Sequence, residues 1–82
     1  MHLAREFQAT SVRVFGSVAR GEATARSDVD LLVKFRRPIG LLGRIEFKER
    51  AEKILGHPVD LATEGNLHWL TRPQILAEAV DL

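Results

Sequence analysis

The sequence predicts an α+β domain, a small mixed three-stranded sheet flanked by helices in the order α-β-α-β-α-β-α. Three observations lead there. Residues 12–15 and 28–33 are short runs of strand-forming residues separated by a segment rich in turn residues. Residues 41–55 carry apolar side chains at helical spacing and stop at Gly56, and residues 57–62 return to strand-like alternation.

Taken in order, residues 1–9 set Leu3 and Phe7 four apart on one edge of a helix barely long enough to stand alone. Val12, Arg13, Val14 and Phe15 alternate as a strand that stops at Gly16 and Ser17, where a tight turn opens a short helix. Ala25, Arg26 and Ser27 form a polar turn into the strand Asp28-Val29-Asp30-Leu31-Leu32-Val33. There Val29, Leu31 and Val33 face the core, and Leu32 extends the run toward full burial. Arg36, Arg37, Pro38, Ile39 and Gly40 break the pattern as a loop, because Pro38 lacks a donor and disfavours helix before it.

The helix over 41–55 stacks Phe47, Ala51, Ile54 and Leu55 on one face and pairs Glu46 with Arg50 and Glu49 with Lys53; Gly56 caps it. In the third strand Val59 and Leu61 point inward and Asp60 outward, while Pro58 suits the start of an edge strand. Residues 63–70 read as a turn with a short helical segment. The last helix starts at Thr71, spaced for a capping box with Gln74, and buries Ile75, Leu76, Ala79 and Val80. Trp69 is expected to pack beneath that helix or, with Leu67 and Leu70, to belong to a partner surface.

Composition narrows the function. The 82 residues suit one domain, 1–82, with a small core. A 45% apolar and 28% charged make-up is that of an ordinary globular domain, and a net charge of +1 gives no push toward nucleic acid or membrane. The absence of cysteine excludes disulfides and thiolate metal sites and agrees with a reducing interior. No apolar run reaches the roughly 18 residues of a membrane span, and the N-terminus lacks a secretory pattern, so a cytoplasmic location is expected. His2, His57 and His68 lack metal-ligand spacing.

The chemistry concentrates in residues 12–33. Gly16 frees the backbone, Ser17 brings a hydroxyl, and the amides of a helix start attract phosphate oxygens; Arg20, one turn on, can add a cation. Asp28 and Asp30, two apart in a strand, project from one face. Two close carboxylates share a proton or take a cation, and hard oxygen ligands favour magnesium. Read separately, each feature has a plainer meaning: a strand-to-helix connection, a solvated strand face, a surface aspartate at Asp60, a turn residue at Ser27.

Gly16, Ser17 and Gly21, followed by Asp28 and Asp30, reproduce the Gly-Ser-x-x-x-Gly and Asp-x-Asp marks of the minimal nucleotidyltransferases of the DNA polymerase beta superfamily, which this chain resembles over nearly its whole length. Its fuller wording, FGSVARGEA, SDVDLLV and PVDL, is similar to the antitoxin members that accompany HEPN-domain toxins. In that family the N-terminal helix is usually longer. The resemblance implies an enzyme in which Asp28, Asp30 and Asp60 hold two Mg2+ ions, and Gly16, Ser17, Arg20 and Ser27 bind the nucleotide. It further implies transfer of AMP from ATP to a tyrosine of a HEPN RNase toxin, within a hetero-oligomer and without direct nucleic-acid binding. Two other functions are open: an antitoxin that acts by covering its partner, and a transferase for a small molecule or RNA that needs a companion chain to form the acceptor pocket.

Overall fold

The computed structural model describes residues 2–22, 24 and 28–82. Its elements are α1 (His2–Glu6), β1 (Ala9–Phe15), α2 (Gly16–Ala19), β2 (Val29–Phe35), α3 (Gly40–Leu55), β3 (Val59–Ala62), α4 (Arg72–Glu78) and β4 (Val80–Asp81), with a 3-10 turn at Glu64–Asn66. Among the described residues no helix is long and apolar enough to cross a membrane.

The mixed sheet has the order β3-β2-β1-β4. β1 runs antiparallel to β2, and β2 runs parallel to β3 because α3 carries the chain back before β3 begins. The fourth strand corrects the three-stranded expectation. The helix expected to bury Val80 ends at Glu78, with Ala79 as its C-cap at an extended ψ of 135, and Val80 then pairs with Val14 while Asp81 pairs with Arg13. An open edge of β1 satisfies the backbone of a β-branched residue better than a further helical turn would.

Alternation sorts the two faces. Leu31, Val33 and Val59 are buried with Leu3, Phe47 and Ala51, and Val12, Val14, Val29 and Leu61 pack against them, so α1 and α3 cover this side. Phe47 anchors it: the Phe7 and Phe35 rings each meet it edge-on at 5.4 Å. Arg50 pairs with Glu6 and lies over the Phe7 ring, tying α3 to α1 rather than to Glu46 as the helical spacing suggested. Gly56 closes α3 in the left-handed conformation, φ 72, as expected of a C-cap.

Three further expectations fail. Ile54 is 60% exposed, because the buried face of α3 is narrower than its spacing suggests and centres on Phe47 and Ala51. Of the two placements expected for Trp69, packing beneath α4 fails: the ring is 75% exposed and stacked on His68, which leaves the surface placement. Thr71 makes no side-chain cap: its backbone is already helical, φ −98 and ψ −13, and its hydroxyl donates to the His68 carbonyl at 3.3 Å.

Candidate active site

The opposite face of the sheet presents Phe15, Arg13, Asp30, Leu32, Asp60 and Ala62 in register. Asp30 stands directly beside Asp60 across the parallel pair, and Asp28 lies just before β2. Two acidic residues distant in order thus become lateral neighbours. Asp30 is half-buried, whereas Asp28 and Asp60 are exposed. Burial first, then the charges of Asp60 and Asp28, raise the Asp30 pKa above its ordinary value; Arg20 opposes the shift and Glu78 adds to it. Leu32, on this same face, is 1% exposed although it lies outside the main core. Arg13, its register neighbour on β1, donates to Glu64 beyond β3 at 2.7 Å, so that ion pair bridges across β2.

The Gly16–Ser17 turn is a single-turn helix closed at both ends by glycine. Gly16 has φ +70. At the other end Gly21, φ +72, donates to the Val18 carbonyl at 3.1 Å while Glu22 donates to Ser17 at 2.9 Å, a Schellman closure. The five-residue spacing of the two glycines is therefore the length of one helical turn plus its cap. Gly16 also has no room for a side chain, since a Cβ there would press into the Asp30 carboxylate, with Asp30 Cγ at 3.2 Å. The turn consequently sits against the acidic face and cannot be shifted independently of it. Gly16→Ala is expected to displace the Asp30 carboxylate and cut activity by at least about tenfold, a near-1 Å misplacement being able to cost ~100-fold. Steady-state kinetics beside a thermal melt check it, activity falling while the chain still folds.

The structure brings together Gly16, Ser17, Arg20, Asp28, Asp30 and Asp60; Ser27 lies outside the described residues. The Arg20 guanidinium is engaged by Glu22 at 2.6 Å and Glu78 at 3.1 Å. Sequence reasoning missed Glu78. Its carboxylate also accepts a hydrogen bond from the Gly16 amide at 3.0 Å. Only a contact across 62 positions reveals this, and no local spacing signals it.

Among the described residues no three acidic or histidine side chains converge into a ready-made cation site. The donor chemistry nevertheless fits a magnesium ion: carboxylate oxygens only, on one face, with a mutual repulsion at Asp30 that a divalent cation would relieve.

Comparison with known proteins adds to this geometry. A family model described as a nucleotidyltransferase domain matches residues 2–82. The chain is 41% identical to the protein adenylyltransferase MntA of Thermococcus cleftensis over 78 residues, 95% of this chain and 79% of that one. Among solved structures it is similar to one described, provisionally, as a minimal nucleotidyltransferase, with 46% identity and a TM-score of 0.85 over 99% of this chain and 83% of that one. A complex of a tri-AMPylated Shewanella oneidensis HEPN toxin with its MNT antitoxin shares the fold, with a TM-score of 0.71 and 18% identity over 98% of this chain and 62% of the matched one.

Proposed function

From the premise that this chain belongs to the nucleotidyltransferase domain family and is a nucleotidyltransferase, we propose that residues 1–82 act as one cytoplasmic antitoxin domain that transfers AMP from ATP to a tyrosine of a HEPN-domain toxin. The observation that carries this reading is the lateral pairing of Asp30 with Asp60 on the face where the Gly16–Ser17 turn abuts Asp30. The identity to a protein adenylyltransferase supports adenylyl transfer, and the AMPylated toxin in the structurally similar complex supports a HEPN acceptor.

In the reaction the tyrosine hydroxyl loses its proton to solvent, its oxygen bonds to the α-phosphorus, the bond from that phosphorus to the bridging oxygen breaks, and pyrophosphate leaves with the electron pair. Asp28, Asp30 and Asp60 would hold two Mg2+ ions. Bound there, magnesium supplies neutralisation of the triphosphate and a lowered pKa for the acceptor hydroxyl. The Ser17 hydroxyl, the amides of α2 and Arg20 orient the phosphate chain, with Ser27 as a further nucleotide contact. Asp60, exposed at the edge strand, faces the incoming acceptor and favours its deprotonated form. Such catalysis is positioning plus charge compensation, so its residues are needed for geometry more than for covalent chemistry.

The test is incubation with labelled ATP, Mg2+ and a HEPN-domain toxin. Label on a toxin tyrosine, lost in Asp28→Asn/Asp30→Asn, is the expected result. A doubly substituted chain that still neutralises toxicity at ordinary expression would instead favour an antitoxin acting by cover alone. A companion of another class, carrying the label on a small molecule or RNA, would replace the acceptor in this reading.

A further inference from the structure

Three contacts converge on one carboxylate that the mechanism above does not use. Glu78 Oε1 accepts from the Gly16 amide at 3.0 Å and from Arg20 Nη1 at 3.1 Å, and Oε2 lies 3.4 Å from the same nitrogen. The Glu78 side chain is 20% exposed, against 62% for Glu22, the other partner of Arg20. We propose that Glu78 is a positioning residue for nucleotide binding, holding the Gly16–Ser17 turn against Asp30 and keeping Arg20 off the acidic face. The proposal rests on the nucleotidyltransferase reading of that turn.

The first half follows from backbone accounting. Gly16 opens α2 in a left-handed conformation, and Phe15, the residue in the cap position, provides no side-chain cap. A first-turn amide has no partner within its own helix, and leaving one unpaired in a part-buried setting is costly. Glu78 is the acceptor that satisfies it. The second half follows from charge. Arg20 closes the same one-turn helix whose first residue, Gly16, abuts the Asp30 carboxylate, and Glu78 holds its guanidinium at 3.1 Å. Without Glu78, Arg20 is freer to turn toward Asp30 and neutralise the carboxylate that should meet a divalent cation.

The fold delivers Glu78 deliberately. Two residues beyond it, Val80 and Asp81 pair with Val14 and Arg13, and the Leu82 amide donates to the Val12 carbonyl at 3.1 Å. These bonds fix the end of α4 beside the end of β1, where Gly16 begins. The short fourth strand thereby has a catalytic consequence although it adds little to the core.

The experiment compares Glu78→Ala, Glu78→Gln and the parent in ATP and Mg2+ titrations with the toxin acceptor, alongside hydrogen exchange of the Gly16 amide by NMR. Glu78→Ala should raise the KM for ATP about tenfold and shift Mg2+ half-saturation upward, with a smaller change in kcat. Its Gly16 amide should exchange faster. Glu78→Gln, whose side-chain carbonyl still accepts from Gly16, should restore amide protection and much of the KM. If Glu78→Ala does not fold, Glu78→Asp, one methylene shorter, should show the same directions. An unchanged KM and an unchanged Gly16 amide would overturn the proposal. So would a lower KM, which would make Glu78 a competitor of the triphosphate. A parent chain that binds no ATP would sink the nucleotide reading, and the Gly16 amide would then decide the hold of Glu78 separately.

Discussion

Asp30→Asn is expected to abolish AMP transfer to within about a thousandth of the parent rate while raising the melting temperature of the metal-free chain at neutral pH. The first effect follows because charge compensation at phosphorus contributes several kcal/mol, and each 1.36 kcal/mol is about tenfold in rate. The second follows from linkage. The folded pKa of Asp30 is raised by burial and by Asp60 and Asp28, so between the unfolded value, about 3.9, and the folded one the native state binds more protons than the unfolded state. Stability therefore falls as pH rises through that window and stays at the lower level above it. Asparagine, nearly the same shape, has no charge to confine. The gap in melting temperature between variant and parent should open as pH rises through the window and hold constant at neutral pH. Added Mg2+ should stabilise the parent and leave the variant nearly unmoved, since only a ligand that binds the native state shifts the equilibrium. Melts in EDTA and in Mg2+ across the acidic range read all of this. A variant that is less stable than the parent at neutral pH and fully active would contradict both halves.

Phe47→Ala is expected to leave little folded chain at 37 °C. Phe47 is 0% exposed and forms edge-on contacts with Phe7 and Phe35, joining α3 to the turn that follows α1 and to β2. Removing a buried ring of this kind costs about 3–5 kcal/mol. Small domains hold only ~0.05–0.15 kcal/mol per residue, so the loss is comparable with the whole stability of a chain this short. Urea unfolding followed by circular dichroism should show a midpoint near zero denaturant. Phe47→Leu, which keeps most of the volume, should retain a cooperative transition at lower urea, separating cavity formation from any effect on the acidic face.

Much of this architecture was legible because its signals are local. The run from Val29 to Val33 carries its own alternation, Gly56 its own cap, and the Gly16–Ser17 pair its own turn into a short helix. Period two likewise put Asp30 on the outward side of its strand, whereas Asp28, expected on the same strand, falls just before β2. Asp60 needed more: its partnership with Asp30 depends on how β3 aligns with β2, which the chain order suggested by resemblance and the register supplies. Thr71 was misread because capping depends on the backbone angles of the cap residue, which its neighbours in sequence leave undetermined. Val80 was misread because its helical spacing is real but an open strand edge is the stronger competitor.

The residues by themselves determined three of the four strands and the helices between them, the core-facing side of β2 and β3, and the chemical types gathered at the turn and the acidic strand, because propensity, period and capping act within a few positions. The tertiary structure alone decided that Asp30 and Asp60 are neighbours, that Arg13 reaches Glu64 across β2, and that Glu78 closes on Gly16 and Arg20. Such contacts form only after distant segments are folded together. Their energy depends on separation and burial, quantities that have no counterpart in linear order.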